Sequence, residues 1–322
     1  MTPEHANEPF VLSFADLPLN SVGIAGGKGA SLSRMKAAGL PVPSGFVVCS
    51  SAFHAFFEQC GGSSVARGLM RNLDISNDAA IEEVSLKLRD IILNNPLPSP
   101  IANAIGNYYL QLGADALVAV RSSAVAEDSE TASFAGQQET FLNVSGVAAV
   151  RQYVRECWAS FFAPRALFYR ATKGVLSDTR MAVVVQEMIS ADKSGVMFTV
   201  DPVQKRRDRM IVEAVFGLGE GIVSGLITPD HYLVRRQDLS VEYEFIAPQA
   251  TAVVRDVANG GTKNIELSEE QGCARVLSEP ELRNLCQVGL RLETFFGAPQ
   301  DVEWCLRDDT LSILQSRPVT TL

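Results

Sequence analysis

The sequence predicts an α+β fold in two lobes, and three observations carry that reading. Helix-period patterns crowd the first part of the chain, whereas strand-period runs and a closing hairpin dominate from Met181 onward. A length of 322 residues is more than one core ordinarily serves and suits two domains of usual size. Two polar clusters also lie at opposite ends: Gly26-Gly27-Lys28-Gly29, and Asp301-Val302-Glu303 with Gln315-Ser316-Arg317. Two lobes would bring such clusters to one cleft. The boundary is expected at 180/181, with an N-terminal lobe 1–180 and a C-terminal lobe 181–322.

The elements follow in order. Residues 27–38 read as a helix opened by glycines, with Leu32 and Met35 on its apolar side and Gly39 as its stop. Pro41-Val42-Pro43-Ser44-Gly45 turns the chain into a short strand, 46–49. Helical patterns span 51–60, 78–94 and 99–112, divided by Gly61-Gly62 and by Pro96, Pro98 and Pro100. Strands are expected over 116–121 and 139–144, joined by the small-residue loop 122–138. Residues 147–173 read as one long amphipathic helix. Strand patterns follow at 181–188, 195–200, 210–216, 231–235 and 241–246. A helix over 268–296 then leads to the closing hairpin, 302–306 and 310–315.

Composition narrows the function. A net charge of −9 argues against a general nucleic-acid or anionic-membrane binder, which needs a basic face. The six cysteines form no Cys-x-x-Cys pair and suit free thiols in a reducing cytosol. The first ten residues lack a signal-peptide core, and no apolar run reaches the ~18 residues a membrane helix needs. The expectation is a cytoplasmic protein.

Several segments can carry chemistry. Gly26-Gly27-Lys28-Gly29 resembles a phosphate loop but is not Gly-x-x-x-x-Gly-Lys-Ser/Thr, so a turn and a phosphate contact both fit it. Val120-Arg121-Ser122-Ser123 puts an arginine where a buried strand meets a loop, a costly place unless it is paired or holds an anion. Phe134-Ala135-Gly136-Gln137-Gln138-Glu139-Thr140 fits either a hairpin covering phosphates or a surface turn. Gln186-Glu187 ends a buried strand and suits either a strand terminus or a hinge meeting an adenine edge. In the closing hairpin, a period of two places Gln315 and Arg317 with Leu311 and Ile313, and Glu303 with Asp301 and Cys305. Magnesium takes oxygen ligands, one or two carboxylates with phosphates and water, and Glu303 with the Gln315 carbonyl could supply them. His231, in Thr228-Pro229-Asp230-His231, reads as an ordinary strand histidine.

Taken together, these segments resemble the ATP-binding domain shared by phosphoenolpyruvate synthase (pyruvate, water dikinase), pyruvate phosphate dikinase and rifampicin phosphotransferase. The matching pieces are 26–32, 120–128, 133–140, 194–199, 217–220 and 315–318, in family order. The resemblance implies an ATP-grasp-type fold with Mg-ATP between the lobes. It implies Lys28 and Arg121 as phosphate-binding cations, Gly136 and Thr140 on the phosphate-covering strand, and Gln186 with Glu187 at the adenine hinge. Glu303 and Gln315 resemble the magnesium-side residues, and Arg317 the arginine facing the terminal phosphates. Lys28, Arg121 and Arg317 are thus the expected catalytic groups, since phosphoryl transfer rests on positioning and charge neutralisation. Family members continue into a swivelling domain bearing a phosphorylated histidine and a substrate domain. The sequence holds no Gly-Gly-x-x-x-His-type segment. The histidine domain is therefore expected in trans or on a longer chain, or the module serves another reaction. The implied activity is splitting of ATP for phosphoryl transfer to a histidine or substrate. An ATP-dependent ligase forming an acyl phosphate and a non-catalytic ATP-binding module are the alternatives.

Overall fold

The computed structural model describes residues 8–71, 73–124, 139–172, 180–256 and 261–320. They form two compact units, Met1–Ser33 with Ser44–Met188, and Arg34–Pro43 with Ile189–Leu322. The division after Met188 differs from the expected 180/181 because β5 (Met181–Glu187) is an interior strand of the first unit's sheet.

In the first unit, β1 (Val11–Ser13), β2 (Gly45–Val48), β5, β3 (Val118–Ala124) and β4 (Thr140–Val144) form an antiparallel sheet in that order. Strand alternation gives it two different faces. Phe46, Val48, Val118, Val120, Val183 and Val185 enter a core with Phe53, Phe56, Phe57, Trp158 and Phe162. These aromatics come from α2 (Ser50–Gln59), α6 (Val147–Ser160) and the turn after it. The remaining helices of the unit are α1 (Val22–Ala37), which runs on into the second unit, α3 (Gly62–Arg71), α4 (Asp78–Asn94), α5 (Ser99–Leu112) and α7 (Pro164–Thr172). The expected helix 147–173 is broken: proline is disfavoured inside a helix and favoured at its first turn, so α7 starts afresh at Pro164.

The second unit is built on a six-stranded antiparallel sheet. Its order is β13 (Thr310–Pro318), β12 (Gln300–Arg307), β6 (Lys193–Phe198), β7 (Arg209–Phe216), β8 (Asp230–Arg235) and β9 (Val241–Phe245). Helix α10 (Glu279–Phe296) packs on β12 and β13 through the buried stripe Leu282, Leu285, Cys286, Gly289 and Leu292. A Cβ at Gly289 would meet Met197 at 2.6 Å and Met210 at 3.0 Å, so the helix lies directly on the sheet. The short helix α8 (Glu220–Val223), the hairpin β10 (Thr251–Arg255) and β11 (Thr262–Glu266), and α9 (Glu269–Gly272) complete the unit.

The expected helix 268–296 is interrupted between α9 and α10. The buried Asp230 carboxylate accepts from the Val276 N–H at 2.8 Å, the Ala247 N–H at 3.0 Å and the Tyr232 hydroxyl at 2.8 Å. Tyr232 in turn accepts from the Leu277 N–H at 3.3 Å. The backbone at 276–277 is thus drawn onto β8 instead of a helical ladder. Helix α10 then begins with a capping box between Ser278 and Glu281. Glu281 also meets the Lys193 ammonium at 2.6 and 2.9 Å. Burial pushes the Glu281 carboxyl up, but Lys193 and the Ser278 hydroxyl and N–H outweigh it and hold it below its ordinary 4.5. A depressed carboxyl stabilises the fold above the unfolded-state value, and the contribution is lost as pH falls through the folded value. Glu281→Gln is therefore expected to lower the melting temperature at pH 7, with the gap to the parent narrowing as pH falls below 4.5. A gap that does not narrow on acidification would contradict this account.

Candidate functional site

The first unit gathers cations around a break in α1. At Gly26 the backbone takes φ 67° and ψ 175°, a region open essentially to glycine, and the helix resumes at Gly27. The kink seats the chain on β3, where a Cβ at position 26 would lie 2.2 Å from the Ser123 carbonyl oxygen. Lys28 falls in the first turn of the resumed helix, and its Nζ donates to the Ser122 carbonyl at 3.1 Å. Arg121 precedes that carbonyl on the same strand and shares a face with Ser123. Thr140 on β4 stands directly opposite Arg121. Lys28, Arg121 and Thr140 are thus brought to one region; Gly136 lies outside the described residues.

The expected hinge pair separates. Gln186 lies on the Arg121 face, in register with Ala119 and Gly45. It is 3 % exposed, and its Nε2 has no hydrogen-bond partner among the described residues. Buried amide donors are rarely left unpaired, so this group suits a ligand acceptor. Alternation turns Glu187 to the opposite face, and its N–H donates to the Ser44 carbonyl at 2.8 Å.

In the second unit the closing hairpin departs from a simple period of two. Glu303 pairs with Gln315 but Trp304 pairs with Ile313, so Leu314 is an extra residue in β13. A bulge of one residue reverses the faces of everything beyond it. Gln315 and Arg317 therefore leave the face of Leu311 and Ile313, against expectation, and join Glu303 and Asp301. Register continues the face across the sheet. One row runs Gln315, Glu303, Val196, Glu213, His231, Phe245; its neighbour runs Arg317, Asp301, Phe198, Ile211, Leu233, Tyr243.

Arg317 is oriented by Asp301, whose Oδ2 accepts from Nε at 2.8 Å and lies 2.8 Å from Nη2 in an ion pair. Burial nonetheless raises the Asp301 carboxyl above its ordinary value, with Arg317 opposing and Glu303 reinforcing the rise. Glu213 lies two strands from Glu303, about 10 Å at ordinary strand spacing, and its Oε1 is 3.6 Å from His231 Nδ1. Cys305 occupies the same face but is buried, and that burial pushes its thiol up to about 12. Sequence patterns alone did not single out Glu213. The available signal was its parity in 210–216, the one charged residue inside an otherwise apolar strand.

Glu303 and Gln315 face each other as a cross-strand pair, with Cβ atoms about 5 Å apart. Among the described residues no cluster of three or more His, Cys, Asp or Glu is arranged to hold a metal. Two oxygen donors side by side nevertheless match magnesium, which keeps phosphate and water ligands instead of a full protein cage.

An antiparallel sheet packed on helices, then a second antiparallel sheet backed by a long helix, each with polar groups on one face, make an ATP-grasp-like nucleotide-binding fold. Residues 22–322 match the family described as pyruvate phosphate dikinase, AMP/ATP-binding domain, and the chain belongs to that family. It is 42% identical to a probable phosphoenolpyruvate synthase of Methanocaldococcus jannaschii, over 97% of this chain and 27% of the relative. Identity to the probable phosphoenolpyruvate synthase of Archaeoglobus fulgidus is 44%, over 97% of this chain and 42% of the relative. A rifampicin phosphotransferase of Bacillus subtilis is 38% identical, over 97% of this chain and 36% of the relative. The chain therefore spans less than half the length of each of these relatives.

Proposed function

We propose that the chain is the Mg-ATP-binding part of a dikinase-like phosphotransferase, splitting ATP for transfer to a histidine or substrate carried by another domain or chain. The observation that carries this reading is the bulge-set face on which Glu303, Gln315 and the Asp301-held Arg317 stand together. Lys28 and Arg121 of the first unit would take the phosphates, with Thr140 beside them and Gln186 presenting its amide to the base. Glu303 and Gln315 would share magnesium with the phosphates, and the ion would neutralise charge on them. Arg317 would stabilise the negative charge that shifts as a phosphorus–oxygen bond breaks. Glu187, turned away and with its N–H engaged, has a lesser part in this reading. No helix among the described residues is long and apolar enough to cross a membrane; a cytoplasmic location suits the acidic, disulfide-free chain.

The product decides the reaction. The chain is mixed with Mg-ATP labelled at the α-phosphate and with the remaining domains of one of the named synthases as a separate polypeptide. AMP is expected, from cleavage between the α- and β-phosphates. ADP formed with a carboxylate acceptor would replace this reading with an acyl-phosphate ligase. Tight binding with no product under either condition would make it a non-catalytic module.

A further inference from the structure

We propose that Ser123 is a positioning residue for phosphate binding, acting through the glycine-flanked loop to set Lys28 against Arg121. This rests on reading Lys28 and Arg121 as phosphate-binding cations. Ser123 is fully buried, two residues beyond Arg121 on the same face of β3. Its hydroxyl donates to the Ala25 carbonyl at 2.8 Å and accepts from the Gly29 N–H at 3.3 Å. One oxygen thereby fastens the residue before the Gly26 kink and the residue after Lys28.

Because the helix resumes at Gly27, the Gly29 N–H belongs to its first turn, where donors lack intrahelical partners. Ser123 supplies across the fold what a local N-cap side chain usually supplies. Lys28 is then held from two directions by consecutive residues of one strand. Its backbone is fixed through the Ser123 hydroxyl, and its Nζ rests on the Ser122 carbonyl at 3.1 Å. Arg121 is the next residue back along that strand, so the spacing of the two cations is set by three consecutive positions of β3.

The site suits a hydroxyl, which both donates and accepts as the two contacts require, whereas alanine would remove both contacts.

A double-mutant cycle of Ser123→Ala with Lys28→Ala in the full chain tests the proposal. Calorimetric affinities for Mg-ATP and for adenosine, which has no phosphate, are the readout. Lys28→Ala is expected to weaken Mg-ATP at least about tenfold. Ser123→Ala is expected to weaken it about five- to thirtyfold, leave adenosine within about twofold, and cost less than about twofold once Lys28 is gone. A Ser123→Ala effect that is absent, equal for adenosine, or fully additive with Lys28→Ala overturns the positioning role. An unchanged Mg-ATP affinity in Lys28→Ala instead overturns the phosphate-site reading itself. Should Ser123→Ala fail to fold, Ser123→Cys keeps the volume with a weaker donor and enters the same cycle with the same expected signs.

Discussion

Arg317→Ala is expected to reduce phosphoryl transfer about a hundred- to a thousandfold, the range for losing one preorganised group that stabilises transition-state charge. The guanidinium does not hang free. The Nε hydrogen bond and the Nη2 ion-pair contact to Asp301 Oδ2, both at 2.8 Å, hold it on the face that carries Glu303 and Gln315. Truncation also leaves the largely buried Asp301 carboxylate without that partner, so part of any loss could reflect damage to the hairpin. Asp301→Asn/Arg317→Ala removes the orphaned charge and separates the two causes. If the double variant regains the parental melting temperature yet stays inactive, the loss belongs to the site. Turnover within about threefold of the parent in Arg317→Ala would remove Arg317 from the machinery. Arg317→Lys should recover little, because a point charge cannot form the fork with Asp301.

Gly195→Ala is expected to be the most damaging small substitution in the second unit. A Cβ there would lie 1.9 Å from the Glu213 carbonyl oxygen and 2.7 Å from the buried Trp304 ring. Neither obstacle is a flexible side-chain tip, so strands β6, β7 and β12 would have to part. A cost of about 3 kcal/mol or more is expected, lowering the melting temperature by roughly 6–12 °C. Gly68→Ala is the control: it lies in exposed α3 with nothing within 4 Å of its Cβ. It should be neutral or stabilise by about 0.5–1 kcal/mol. A Gly195→Ala melt within about 2 °C of the parent would show that the sheet gives way more easily than these contacts allow.

Much of the fold was legible because local signals and tertiary demands agreed. Helices α4 and α5 were read to the residue, since apolar spacing, length and the flanking Gly and Pro punctuation all pointed one way. Strands β5 to β9 were likewise visible as short apolar or alternating runs. Misreadings came where a local signal was outvoted or overlooked. Pro164 and the capping box at Ser278 were both present in the sequence, yet continuous apolar spacing suggested one helix in each place. Helix α3 was overlooked although Ala66 and Met70 lie on one buried side, because its opening Gly62-Ser63-Ser64 looks like a loop; the largely exposed strand β11 carries too little apolar patterning to mark its hairpin with β10.

For the site, the residue types and their order along the chain were determined by the sequence alone: a lysine among glycines, an arginine at a strand end, and an acid, an amide and an arginine near the close. Family membership followed from the same motifs. Which of these groups share a face was decided only in three dimensions. Leu314 looks like any other apolar strand residue, but as a bulge it carries Gln315 and Arg317 across the sheet to Glu303. Glu213 joins their face only through pairing of β12 with β6 and of β6 with β7, partners 103 to 113 residues apart in the first case. The Ser123 clamp spans a similar gap, 94 residues from Gly29. A side-chain period describes one strand by itself, whereas register and bulges are settled by which alignment buries Trp304, Met197 and Val212 beneath α10 and leaves the polar rows on the other side.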